Sequence, residues 1–218
     1  MSDRTKKMSG KISFEEEEMS KIEILYCKLL KNLETMKDQE NSELASIILL
    51  IVPLLSFVFS EIGKDFNGYN VKFMTGGSST PQPDFILLDR VIVEAKNISE
   101  EKKEEEKKSN FSTLNFTEGY QNKSDYHLSQ AIQYLVRLYK GGKTTLKHAV
   151  VTTGKLWVVA QNVPEQLKKM GFNLKSNSPE DLSKHFKTDT PLEVIRYDIT
   201  KIDQLEKLLD HLKKILKS

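Results

Sequence analysis

The stretch Pro83-Asp84-Phe85-Ile86-Leu87-Leu88-Asp89-Arg90-Val91-Ile92-Val93-Glu94-Ala95-Lys96 joins two apolar runs, each ending in charge. A strand alternates its side chains, so Glu94 and Lys96 share one face while Ala95 takes the other. Val91, Ile92 and Val93 are β-branched and follow the turn-like Asp89-Arg90. That pattern predicts a buried strand whose charged end must reach water, a partner or a metal. Asp84 follows a proline suited to a strand start. Two carboxylates converging from adjacent strands can share Mg²⁺ (or Mn²⁺), which takes oxygen ligands, keeps several waters and picks up substrate phosphate. Such a centre activates water and steadies a leaving oxygen, the chemistry of phosphodiester hydrolysis. The backbone carbonyl of Ala95, close to both acids, is a candidate third ligand. Lys96 would orient or deprotonate the attacking water, or offset charge on the phosphate, and residue types leave these roles open.

The register of the two strands tests this arrangement, because residues directly opposite in an antiparallel pair share a face. A two-residue turn at Asp89-Arg90 would pair Asp84 with Ala95 and send Asp84 away from Glu94. An odd-length loop or a bulge, with Asp84 opposite Lys96 and Ile86 opposite Glu94, restores the cluster. The sequence therefore predicts a longer turn or a bulge. The competing structural reading makes Glu94 and Lys96 a strand-end ion pair and puts Asp84 on the far face.

Downstream, Leu128, Ala131, Ile132, Leu135 and Leu138 recur at helical spacing within residues 125–140. Gln130 and Tyr134 lie four apart on that helix, hence on one side of it. Packed beside the strand pair, they could hold a metal-bound water or a phosphate oxygen. His127, on the same helix, reads more simply as an ordinary surface histidine.

Taken together, Pro83-Asp84, Glu94-Ala95-Lys96 and Gln130-x-x-x-Tyr134 resemble the motifs of the PD-(D/E)xK nuclease superfamily, in its RecB-like branch. The resemblance spans about residues 43–161. The Glu-Ala-Lys triplet and the later Thr152-Thr153-Gly154-Lys155-Leu156-Trp157 are also similar to nuclease domains of Crinkler-type effectors and type I restriction subunits. This resemblance implies a restriction-endonuclease-like α/β/α core with a mixed central sheet and a Mg²⁺- or Mn²⁺-dependent nuclease, acting on DNA in preference to RNA. It implies metal held by Asp84, Glu94 and Ala95, with Lys96 catalytic and Gln130 and Tyr134 supporting. Members of the superfamily carry a further glutamate on the helix before the first strand. Glu43 and Glu61 compete for that role, and the placement of Glu43 ahead of the apolar helical stretch favours it. The alternative function is a catalytically inactive module of the same fold that binds nucleic acid or a protein partner.

Length and composition accommodate these readings without requiring them. The 218 residues suffice for one domain with a substantial core. With 33 basic against 31 acidic residues, the body is not uniformly basic, so nucleic-acid contact would need local lysines. Lys123, Arg137, Lys140, Lys143 and Lys147 cluster in sequence around the proposed helix and the Gly141-Gly142 turn. A solvated helix face is the plainer account of them. The lone Cys27 excludes an internal disulfide or a cysteine-rich zinc site, and among Ile24, Leu25, Leu29 and Leu30 it reads as a buried thiol.

Residues 1–20 read as a flexible polar tail with no signal-peptide pattern, which favours an intracellular protein of cytoplasm or nucleus. Residues 21–218 read as one nuclease-like domain with a Lys/Glu-rich insertion at about 99–124. Within it, residues 22–36 predict an amphipathic helix and residues 37–42 a polar linker. Residues 44–59 predict a buried helix kinked at Pro53, too short and too interrupted for a membrane span. Residues 69–75 predict a first strand, and residues 148–152 and 156–161 a hairpin. Residues 192–197 predict an edge strand, and Ile202, Leu205, Leu209, Leu212 and Leu216 a C-terminal helix. Trp157 reads as core. Oligomeric state is open, a homodimer being compatible.

Overall fold

Helix α1 (Lys21–Lys37) starts where Ser20 and Glu23 cap each other. The Ser20 N–H donates to Glu23 Oε2 at 2.6 Å and the Glu23 N–H to Ser20 Oγ at 3.2 Å, so two orphan donors of the first turn are satisfied reciprocally. In this computed structural model, which describes residues 19–37, 43–73, 82–96, 113–114, 127–186 and 190–217, Leu25, Leu29, Leu33 and Met36 form the buried stripe of α1. Cys27 is off that stripe and exposed, contrary to the buried thiol expected from its apolar neighbours in sequence. Helical phase decides burial here, and adjacency along the chain does not.

Helix α2 (Glu43–Glu61) is the 19-residue apolar segment. By length and composition it could cross a membrane. In this fold Leu50, Ile51, Leu54, Leu55, Val58 and Phe59 are buried in the core. The break foreseen at Pro53 is a π-helical turn at Ile47–Ile51, where the Val52 N–H bonds back to the Ile47 carbonyl. Proline has no N–H to give to the carbonyl four residues earlier. That carbonyl, on Leu49, accepts instead from Asn32 Nδ2 of α1 at 2.6 Å.

The sheet runs β1 (Val71–Phe73), β2 (Phe85–Leu87), β3 (Val91–Ala95), then β5 (His148–Thr152), β6 (Leu156–Ala160) and β8 (Val194–Asp198) in spatial order. All neighbours are antiparallel except β3 and β5, which are parallel. A parallel pair needs a crossover, supplied here by a segment that includes α3 (His127–Lys140). Alternation along the strands divides the core in two. Phe85, Leu87, Val91, Val93 and Trp157 pack with α1, α2 and α6 (Ile202–Lys217). Ile86, Ile92, Ala149 and Val151 pack with α3 and with residues of the chain between Val163 and Leu192. The chain is thus an α/β fold on a six-stranded mixed sheet.

The first strand begins at Val71, two residues later than expected, and is described to Phe73, with residues 74 and 75 outside the described residues; the edge strand is Val194–Asp198, shifted from the expected 192–197. The segment after β6 contains the short helices α4 (Val163–Lys169) and α5 (Asp181–His185). Of the Lys/Glu-rich insertion only Thr113–Leu114 (β4) is described, paired antiparallel with Thr190–Pro191 (β7). Residues 1–18 of the expected tail, residues 38–42 of the expected linker and most of the insertion lie outside the described residues, while Lys37, expected in the linker, ends α1.

Candidate functional site

The turn between β2 and β3 sets the site. Leu88 and Asp89 adopt positive φ of 49° and 52°, and the Arg90 N–H donates to the Leu87 carbonyl at 2.9 Å. With Arg90 as an extra residue the loop holds an odd number of residues, and Leu87 pairs with Val91, Ile86 with Ile92 and Phe85 with Val93. The next step of that ladder sets Asp84 across from Glu94, on the face that carries Ile86 and Ile92. The longer turn was expected, but the register differs by two residues from one opposing Asp84 to Lys96. Val91, fully buried, is held in the strand and not spent in the turn. Asp89 serves this turn: Lys72 Nζ lies 2.6 and 2.7 Å from its two oxygens and holds its carboxyl below the usual range.

At the far end of β3, Asp84 Oδ2 accepts the Ala95 N–H at 2.6 Å. Lys96 Nζ donates to Glu94 Oε1 at 2.6 Å, with side chains only 11% and 5% exposed. The Lys96 N–H continues the parallel ladder to the Thr152 carbonyl at 2.8 Å. Glu94 Oε2 is buried with no hydrogen-bond partner among the described residues. Burial pushes the Glu94 carboxyl up to about 8 against the pull of Lys96, and the charges of Asp84 and Glu43 push the same way. Burial likewise raises Asp84, with the Ala95 N–H and Lys96 opposing. Burial works to lower Lys96, but Glu94, Glu43 and Asp84 together hold it above its ordinary value.

Helix α3 brings its two polar residues to the same place. Gln130 Nε2 donates to Tyr134 Oη at 2.7 Å. Burial raises the Tyr134 phenol and the Glu94 charge adds to it, so the hydroxyl stays protonated through neutral pH. The strand pair and one helix face therefore converge as the alternation and the i, i+4 spacing predict. Of the two candidate helix glutamates, Glu43 acts electrostatically on both Glu94 and Lys96. Glu61 is exposed at the other end of α2, 3.9 Å from Lys21.

The donor set suits a hard cation in part. The orphaned Glu94 Oε2, a carboxylate oxygen of Asp84 not bonded to Ala95 and the nearby Ala95 carbonyl are oxygen ligands of the kind Mg²⁺ takes. Among the described residues, however, no three His, Cys, Asp or Glu side chains are grouped closely enough to hold a metal by themselves. Backbone oxygen and water would have to complete the shell.

No family model matches the chain, and neither a curated protein nor a solved structure is significantly similar to it.

Of the basic residues expected around the cleft, the described Lys140 and Lys143 lie away from it. Lys143 lies 3.7 Å from Asp89, at the turn that begins β3. Glu94 is near the other end of that strand, about 10 Å away along it. Lys140 is exposed at the last turn of α3, about 15 Å along the axis from Gln130. Arg137, half-buried, lies closer, one turn beyond Tyr134, and its charge acts on Glu180. Lys123 is outside the described residues. Two features gave no sequence signal. One is the contact of Gly154 with α2, where a Cβ would lie 2.7 Å from Leu50 Cβ. The other is a buried polar group in which His211 Nδ1 meets Tyr197 Oη at 2.6 Å and His211 Nε2 meets Gln161 Nε2.

Proposed function

We propose that this chain is a metal-dependent nuclease with a three-layer, restriction-endonuclease-like core, hydrolysing phosphodiester bonds in DNA in preference to RNA. The observation that carries the proposal is the convergence of Asp84, Glu94 and Lys96 on one sheet face, with a buried Glu94 oxygen unspent. A strand-end ion pair alone accounts for Glu94 and Lys96 but not for a second raised carboxylate beside them. Asp84, Glu94 and the Ala95 carbonyl would hold Mg²⁺ or Mn²⁺, which when bound supplies an acidified water and charge for the leaving oxygen. Lys96, protonated by its carboxylate neighbours, would place its ammonium against the phosphate or the attacking water. Tyr134, neutral and fixed by Gln130, would donate its hydroxyl to a phosphate oxygen. Glu43 would add negative charge that strengthens cation binding.

A second reading is favoured by the short Lys96–Glu94 contact, which spends one glutamate oxygen, and by the lack of a three-side-chain metal group among the described residues. On that reading the chain is an inactive module of the same fold that binds nucleic acid or a protein. Incubating plasmid, single-stranded DNA and RNA with the chain in Mg²⁺, Mn²⁺ or EDTA separates the two. Metal-dependent cleavage lost in Asp84→Ala and Lys96→Ala supports the nuclease, whereas binding without cleavage supports the module.

A further inference from the structure

A cavity of about 530 Å³ lies between the chain at 139–147 and the chain at 162–175. It is at the opposite end of the sheet from Glu94. Lys147, which lines it, donates its N–H to the Arg90 carbonyl at 2.9 Å, just before β3 begins. Three lysines, Lys147, Lys168 and Lys175, face it against a single carboxylate, Glu165. All three are exposed, and among the described residues none takes part in an ion pair.

Two side-chain amides, Asn162 and Asn173, line the cavity with these lysines. Asn173 spends its Oδ1 on the Lys175 N–H at 2.9 Å, which leaves its NH₂ available. Asn162 sits at φ 47°, ψ 44° with no side-chain bond to the helix it precedes. Asparagine tolerates that left-handed backbone better than most residues, so the turn can present its amide to the cavity. Tyr139 and the nearly buried Leu174 supply an apolar wall. Unpaired cations and amide donors beside an apolar wall, in a volume within the usual range of small-molecule sites, fit an anion that carries a ring.

We propose that this cavity binds a phosphorylated small molecule of the nucleotide type, its phosphates held by Lys147, Lys168 and Lys175 and its ring set against Tyr139. The site is separate from Asp84, Glu94 and Lys96 and does not depend on their function. A concave cavity at the end of the sheet opposite the proposed cleavage centre favours a small ligand over a polymer.

Isothermal titration with adenosine, AMP, ADP, inorganic phosphate and a short single-stranded oligonucleotide tests this on the full chain. ADP is expected to bind saturably at one equivalent, adenosine not to bind, and phosphate to compete with ADP. Lys168→Ala with Lys175→Ala should weaken ADP about tenfold or more, since each removes a charged hydrogen bond. Asn162→Gly, which keeps the left-handed backbone accessible, should weaken it less, and Glu94→Gln should leave it unchanged. The proposal is overturned if ADP does not bind at millimolar concentration, or if the lysine and asparagine variants bind it as the wild type does. Binding of the oligonucleotide through these lysines without binding of ADP overturns it equally, and makes the cavity part of a nucleic-acid path.

Discussion

Lys96 Nζ lies 2.6 Å from Glu94 Oε1 inside the protein, while the other oxygen of the same carboxylate has no partner among the described residues. One cation thus serves a buried carboxylate that has Asp84 and Glu43 in its field. The excess of negative charge has consequences for pH, for the lysine and for added metal.

Glu94 is held up to about 8, above an ordinary glutamate, chiefly by burial. A group raised in the folded state stabilises fully below its unfolded pKa, and that contribution is lost as pH rises through the folded value. Metal-free protein should therefore lose on the order of a few kcal/mol from this group between about pH 4.5 and pH 8, and the raised Asp84 adds in the same sense. Urea unfolding of wild type and Glu94→Gln at several pH values checks this. The variant should show a flatter alkaline limb, and equal slopes would contradict the charge argument. Mg²⁺ at pH 8 should raise the urea midpoint of wild type more than that of Glu94→Gln.

Replacing Lys96 by Met leaves Glu94 buried without its cation. Without the opposing lysine the carboxyl rises further, so the expected cost is about 1 kcal/mol or more at pH 9 and clearly less at pH 5, where Glu94 is protonated with or without Lys96. Denaturant melts at the two pH values measure the difference. The Glu94→Gln/Lys96→Met double variant should recover much of the loss, because the uncompensated charge has gone.

Acid stability is expected to depend on His148 instead. Burial holds its imidazole down to about 4, with help from the charges of Lys147, His211 and Arg90. A histidine lowered in the folded state contributes stability present above about 6.5 and lost as pH falls through the folded value. His148→Gln should lose less stability than wild type between pH 6.5 and pH 4, read by thermal melts across that range.

Gly154 has φ +86°, and an added Cβ would meet Leu50 Cβ at 2.7 Å and Leu50 Cδ1 at 2.8 Å. Gly154→Ala thus combines an unfavourable backbone with a clash against the π-helical turn, for a predicted loss of about 3 kcal/mol. Leu50→Ala in the same chain relieves the contact with Leu50 Cδ1 but keeps the one with its Cβ and leaves the backbone cost. A double-mutant cycle in urea should show favourable coupling between the two changes.

Asn32 and Pro53 are predicted to be coupled through a carbonyl neither owns. Asn32→Ala strands the Leu49 carbonyl, at a cost of about 1–3 kcal/mol. Pro53→Ala restores an N–H in the following turn and should soften that loss. Additive losses in the cycle would mean that the π-helical turn keeps the new N–H from reaching Leu49.

Local order was legible in the residues themselves. The β-branched Val91 to Val93, the helical spacing from Leu128 to Leu138, the hairpin about Gly154 and the leucine stripe of the C-terminal helix all formed as elements within a few residues of expectation. These signals come from periodicity, which the chain carries whatever its partners. The same alternation and i, i+4 spacing placed Glu94 with Lys96 and Gln130 with Tyr134.

Tertiary structure alone decided what depends on how distant segments meet. Three residues at the β2–β3 turn, two of them left-handed, put Asp84 across from Glu94, and a loop one residue shorter would have turned it away. The path of α2 brought Glu43 into the field of Glu94 and left Glu61 with Lys21, although both glutamates flank the same apolar run. Crossing from β3 to the parallel β5 carried Lys140 and Lys143 to the end of the sheet away from Glu94. Periodicity specifies which side of an element faces inward, while the register, direction and spacing of elements far apart in sequence are set by packing that no local pattern encodes.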